Sequence, residues 1–212
     1  MILRIDKDSP DERRIQQVVE CLRMGGVIIY PTDTVYTLGC DISNKKAYEK
    51  VCALKDVRPN KANFSFVCYD LRHISEYTIS LPTPTYKLMH RLLPGPYTFI
   101  LNANKTIQRL FAYKKKEVGI RVPNHAIPRA IVQELGHPIL SASIKNEDEI
   151  LEYMTDPEEI YYEYKDIVDI VITTTAPDNW HLFSNRSDCP EDDGPIRADI
   201  TFEPNPSFKL VG

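Results

Sequence analysis

No apolar run in the sequence approaches the ~18 residues that a spanning helix needs, so no membrane partner is expected. The opening residues, MILRIDKDSPDERR, lack the apolar core of a secretion signal, and a cytoplasmic location is expected. The glycine-rich signatures are missing as well. Without G-x-x-x-x-G-K-[ST] the chain is not a P-loop enzyme. Without G-x-G-x-x-G or G-x-S-x-G, neither a dinucleotide fold nor a hydrolase elbow is supported. The five cysteines are odd in number and nowhere spaced C-x-x-C, so neither a disulfide framework nor a zinc site is indicated. They read as small buried hydrophobes. The five histidines (73, 90, 125, 137, 181) are scattered, and none has metal-ligand spacing. A net charge of −4 does not suggest a strongly basic nucleic-acid binder, although Lys114, Lys115 and Lys116 form a local basic run.

What remains is an alternation of strands and helices. The 212 residues suffice for one large domain, or one domain with a tail. A short strand, Ile2 to Ile5, precedes a helix start with Ser9 as cap, Pro10 at the first helical position, and Asp11 and Glu12 in the first turn. Ile15, Val18, Val19 and Leu22 recur at helical spacing, and Gly25-Gly26 closes the helix. Val27 to Tyr30 reads as a buried strand stopped by Pro31. Further helices are expected over Lys45 to Leu54, Pro84 to Leu93, Ile127 to Leu135 and Asp156 to Tyr164. Further strands are expected over Phe64 to Tyr69, Tyr97 to Asn102, Val118 to Val122, Pro138 to Ser143 and Ile167 to Thr173. This pattern is that of an α/β domain. Beyond about Thr173 the periodicity ends. The expected organisation is a domain over residues 1–172 and a divergent segment over 173–212 that packs on the same domain or extends from it.

Five places can carry chemistry. Thr32, Asp33 and Thr34 follow a buried strand, the position where ligands bind in open α/β sheets. Two hydroxyls and a carboxylate there suit a small polar substrate, or equally a capped turn with no ligand. Lys55 and Arg58 end a helix, where they complement its dipole or clamp phosphates. Pro94-Gly95-Pro96 is a rigid turn into a strand. Arg121 lies in a short apolar strand, where it needs a partner: a buried carboxylate or an anionic substrate. Ser141 and Ser143 are two residues apart on a strand and share a face.

Taken in order, G-G-V-I-I-Y-P-T-D-T-V-Y-T-L-G-C from Gly25, L-P-G-P-Y-T-F-I-L from Leu93, V-G-I-R-V-P from Val118 and P-I-L-S-A-S from Pro138 resemble the YrdC/YciO family. The resemblance spans roughly residues 1–172. Y-T-F-I-L and N-F-S-F-V-C-Y-D-L from Asn63 look closer to its YciO-like branch. The resemblance implies a YrdC/RibB-like α/β fold, with a twisted, mixed parallel and antiparallel sheet around a large cleft. It implies synthesis of threonylcarbamoyl-adenylate from threonine, bicarbonate and ATP, with Mg²⁺ on the phosphates and release of pyrophosphate. That product serves threonylcarbamoyladenosine modification of tRNA, and the family is also linked to double-stranded RNA. The alternative is a nucleotide- or double-stranded-RNA-binding protein with the same cleft and no synthesis.

By motif, Thr34, Arg121 and Ser141 are expected at threonine, and Lys55, Arg58, Ser143 and Arg197 at the nucleotide. The sequence departs from the family pattern in three places. Asp56 stands where the family has its K-x-R-P lysine. The asparagine that follows the second serine closely in the family is displaced here to Asn146, after Lys145. The late P-S-T-V-[VI]-D segment is replaced by residues 181–188.

Overall fold

A computed structural model describes residues 1–72, 74–111, 116–144 and 157–174. The strands are β1 (Ile2–Ile5), β2 (Val27–Tyr30), β3 (Thr37–Asp41), β4 (Ser65–Val67), β5 (Thr98–Asn102), β6 (Glu117–Arg121), β7 (Ile139–Ser143) and β8 (Ile170–Thr174). The α-helices are α1 (Glu12–Arg23), α2 (Lys45–Leu54), α3 (Thr83–Leu92), α4 (Lys105–Phe111), α5 (Ala126–Leu135) and α6 (Pro157–Tyr164). All eight strands form one mixed sheet in the order β1-β8-β2-β3-β7-β4-β6-β5. Pairs β1/β8, β8/β2 and β4/β6 are parallel; β2/β3, β3/β7, β7/β4 and β6/β5 are antiparallel. The α/β alternation and mixed sheet expected from the sequence are present.

Local chemistry explains most element ends. Ile15, Val18, Val19 and Leu22 form the buried stripe of α1. Its cap is Asp11, whose carboxylate accepts from the Arg14 amide. Ser9 does not cap, because the Asp6 carboxylate takes the Asp8 and Ser9 amides in a separate turn. Gly25, with φ +87°, follows the α1 cap Met24, and Gly136, with φ +87°, caps α5; both use the left-handed region that glycine enters without strain.

The two faces bury separate cores. On one face Ile5, Ile28, Tyr30, Val67, Ile139, Ile170 and Ile172 meet α1 and α5. On the other, Val27, Ile29, Leu38, Phe66, Ile120, Leu140 and Val171 belong to a larger cluster that includes Tyr48 and Val51 of α2 and Met89 of α3. Each fully buried large apolar side chain contributes about 1.5–3 kcal/mol. Strand β8 runs through Thr174, so residue 173 is part of the sheet. Residues 175–212 lie outside the described residues, as do Lys114 and Lys115.

Strand β3 approaches its neighbours closely at Gly39. A Cβ there would stand 2.5 Å from the Tyr30 ring and 3.2 Å from the Leu140 carbonyl. Gly39→Val is therefore expected to destabilise the fold by about 1–3 kcal/mol through overpacking. In thermal melts this appears as a fall in Tm of roughly 2–4 °C per kcal/mol. An unchanged Tm would show that the sheet can part at this point.

Candidate functional site

Among the described residues, helices α1 and α5 cover only part of the sheet face on which they pack. Lateral pairing places Gly39, Ser141, Ser65 and Gly119 side by side across β3, β7, β4 and β6. Neighbouring residues in a sheet row point to the same side, and this row shares its side with Tyr30, Val67, Ile139 and Arg121. Ser65 and Gly119 are half-buried, Thr98 and Ile100 of β5 are exposed, and Ser143 is exposed at the end of β7. The result is an open floor with little side-chain volume and several hydroxyls, next to a helix-covered core.

Thr32, Asp33 and Thr34 form the turn between β2 and β3. The Thr32 hydroxyl donates to the Val35 carbonyl at 2.7 Å and accepts from the Thr34 and Val35 amides at 3.2 Å. This closes the turn on itself and presents Asp33 and Thr34 to Arg121. One nitrogen of Arg121, Nη2, donates to Asp33 Oδ1 at 2.5 Å and Thr34 Oγ1 at 2.7 Å, with Thr32 Oγ1 at 3.3 Å. Asp33 Oδ2 accepts from the Asn124 amide at 2.9 Å. The Thr-Asp-Thr turn is thus tied both to the end of β6 and to the loop that enters α5. The two side chains are 13% and 10% exposed, so the pair is largely shielded from water. Breaking such a pair by removing one partner costs about 3–5 kcal/mol. The buried Nε of Arg121 has no hydrogen-bond partner among the described residues.

The structure therefore brings Thr34 and Arg121 into contact. Ser141 is buried in the floor row, and Ser143 lies two residues further along the same face, opposite Thr37. From sheet spacings of ~4.8 Å between strands and ~3.3 Å per residue, the Ser141 and Arg121 Cα atoms lie on the order of 12 Å apart. Lys55 Nζ lies 3.4 Å from the Ile144 carbonyl, just past Ser143, which brings the end of α2 to the end of β7. Arg58 is exposed on the loop after α2, and its carbonyl accepts from the Lys61 and Ala62 amides. It makes no contact with the Arg121 group. Asp56 is also exposed and takes φ +48°, in the left-handed region. Arg197, Lys145 and Asn146 lie outside the described residues.

Tyr30 was not anticipated. It is fully buried on the same face, its Oη has no hydrogen bond of normal geometry to a described group, and burial pushes its pKa up. The Ser141 hydroxyl and the Arg121 charge act on it in the opposite direction. Ser65 and Gly119 were also missed as floor residues; their signal was strand alternation, since Gly119 precedes Arg121 by two and Ser65 precedes Val67 by two. Nucleophilic cysteine chemistry is not supported among the described residues. Burial pushes the Cys21 thiol up to about 11 and Cys68 to about 12, and raises Cys40 further. No three His, Cys, Asp or Glu side chains gather into a metal-sized cluster among the described residues.

Residues 20–181 match the Sua5/YciO/YrdC family model, described as "Telomere recombination". The chain belongs to this family. It is similar to the Escherichia coli K12 protein called "Uncharacterized protein YciO", 41% identical over 170 residues, covering 79% of this chain and 81% of that one. It is 31% identical over 131 residues to a Vibrio vulnificus threonylcarbamoyl-AMP synthase, covering 61% and 70% of the two chains. The crystal structure of E. coli YciO superposes with a TM-score of 0.74 at 38% identity, over 82% of this chain and 84% of that one. P. abyssi Sua5 complexed with L-threonine has a TM-score of 0.72 at 19% identity, over 82% and 50%, a likeness of fold. Among the described residues, no helix is long and apolar enough to cross a membrane.

His125 caps α5, with Nδ1 accepting from the Ile127 amide at 3.3 Å. Desolvation lowers its pKa below the usual 6.5, and nearby Asp33 opposes the shift. A lowered folded-state value means that the unfolded chain binds the proton first. Stability therefore falls as pH drops from about 6.5 through the folded-state value. His125→Asn keeps a capping side chain and removes the titration. Its Tm is expected to fall less than that of the parent between about pH 7.5 and about pH 5.5. Parallel melting curves would rule this out.

Proposed function

We propose that the chain is an ATP-dependent L-threonylcarbamoyl-AMP synthase serving threonylcarbamoyladenosine formation in tRNA. Support comes first from the shielded Arg121, fixed beside two threonine hydroxyls at the edge of an open polar floor. A guanidinium held in this way suits a small carboxylate, because its planar donors match carboxylate geometry. Threonine binds with its carboxylate toward Arg121 and Thr34, and Ser141 hydrogen-bonds it from the floor. The nucleotide lies toward Lys55, Ser143 and Arg58, and Arg197 joins them by family resemblance.

The threonine amine and bicarbonate combine to a carbamate with loss of water. A carbamate oxygen attacks the α-phosphorus of ATP, the bond to the β-phosphate oxygen breaks, and pyrophosphate leaves. The protein's task is to position these groups and neutralise charge, and no side chain serves as nucleophile. Lys55 and Arg58 would hold the nucleotide phosphates, and Mg²⁺ carried on those phosphates would supply further charge neutralisation.

A second reading is favoured by one observation. The family lysine position holds the exposed Asp56, and Lys55 is turned to the Ile144 carbonyl. A carboxylate there opposes the concentrated charge of a triphosphate, which synthesis must hold and which simple nucleotide or RNA binding does not require. On this reading the cleft binds nucleotide or double-stranded RNA without synthesis.

The purified protein with ATP and Mg²⁺ is expected to release pyrophosphate only when both threonine and bicarbonate are present. Arg121→Lys keeps the charge and loses the planar donors, and is expected to cut the rate by roughly 10- to 100-fold, from the ~1.5–3 kcal/mol of a charged hydrogen bond. Folded parent protein that binds ATP and shows no such release would overturn the synthase reading. Salt-sensitive binding of duplex RNA in the same sample would favour the second reading.

A further inference from the structure

We infer that Asp33 is an internal carboxylate that occupies Arg121 while the cleft is empty and yields it to the carboxylate of an incoming ligand, freeing the Thr-Asp-Thr turn. The inference rests on the reading of Arg121 as a carboxylate seat and adds how that seat is filled and emptied.

Three observations carry it. The first is how Asp33 grips the guanidinium. It engages a single nitrogen, Nη2, through a single oxygen, whereas an arginine–carboxylate pair is strongest with two parallel bonds. Nη2 has two hydrogens and faces three acceptors, Asp33, Thr34 and Thr32. The adjacent Nε–H is buried with none. A free carboxylate, with no backbone to constrain it, can bridge Nε and Nη2 and satisfy the orphaned donor.

The second observation is that Asp33 has somewhere to leave its charge. Its other oxygen already accepts from the Asn124 amide at 2.9 Å. Releasing Arg121 therefore does not strand a bare carboxylate. The third is that Thr34 is exposed and the turn's remaining bonds are mostly its own, centred on Thr32. Once Asp33 lets go of Arg121, its bond to the Asn124 amide is the main tie that still holds the turn across the floor. A ligand carboxylate thus gains Arg121 only for the fraction of time Asp33 is off it, and apparent affinity is reduced by that fraction.

Calorimetric titration of L-threonine and of propionate into the parent, Asp33→Asn and the Asp33→Asn/Arg121→Lys double variant tests this. Asp33→Asn is expected to bind both carboxylates at least about fivefold tighter than the parent, and the double variant to lose the gain. In the parent, saturating threonine or propionate is expected to speed amide hydrogen exchange in residues 32–36. Equal or weaker binding by folded Asp33→Asn, or slower exchange in the turn on ligand addition, overturns the inference, as does failure of every protein to bind either carboxylate. If Asp33→Asn does not fold, exchange in the parent decides. Pyrophosphate release by the parent without tighter binding by Asp33→Asn would leave the synthase reading standing alone. Propionate gained through Arg121, with no threonine binding, would leave the exchange standing without that reading.

Discussion

The ion pair between Arg121 and Asp33 ties the turn that follows β2 to the end of β6, across strands β3, β7 and β4. Arg121 ends β6, near one edge of the sheet, and Asp33 sits on the turn between two central strands. Because both side chains are mostly removed from water, their separation is costly unless another charge takes over. The contact sets where the β2–β3 turn lies, and through the Asn124 amide it also sets where α5 begins. The open floor has its shape because this latch defines its border. Binding, helix entry and sheet shape therefore share one charged contact.

The floor depends on a different constraint, the absence of side-chain volume. Gly39 and Gly119 have no side chain, and Ser65 and Ser141 have small ones, all in one lateral row. At Gly119 an added Cβ would meet Ser65 and Thr98 atoms at 3.2 Å. Apolar residues on the same face gather where α1 and α5 cover it, at Ile28, Val67 and Ile139. The boundary between core and cleft is thus drawn within single strands: β4 turns from Ser65 to Val67, and β7 from Ile139 to Ser141.

The elements with strong local signals were legible in the sequence. The apolar stripe of α1, the buried run Val27–Tyr30 and the glycine cap of α5 fall as their periodicity predicts. Strand β3 was not legible, because Thr37-Leu38-Gly39-Cys40-Asp41 contains a glycine, ends in an aspartate and has no run of branched residues. It owes its conformation to the strands on both sides of it. Helix α4 was missed because seven residues give too little pattern for periodicity to declare. At the site, residue type and strand position marked Thr34, Arg121 and Ser141 as candidates, and the family resemblance assigned them to threonine. The partnership of Arg121 with Asp33 was not chosen over an anionic substrate, since the two are 88 residues apart and no local spacing encodes the contact. Tyr30 read as core, which it is; strand pairing alone puts it on the same face as Ser141 and Ser143.

The strand order also has a bearing on how the chain is made. Strand β8 lies between β1 and β2, with Val171 opposite Ile2 on one side and Ile29 on the other. During synthesis the first two strands emerge early, yet neither pairs with the other. The gap between them waits for residues 170–174, so that the parallel half of the sheet is zipped last and by contacts of very long sequence separation. Such closure is slow, and until it happens Ile2–Ile5 and one edge of Val27–Tyr30 lack their strand partner.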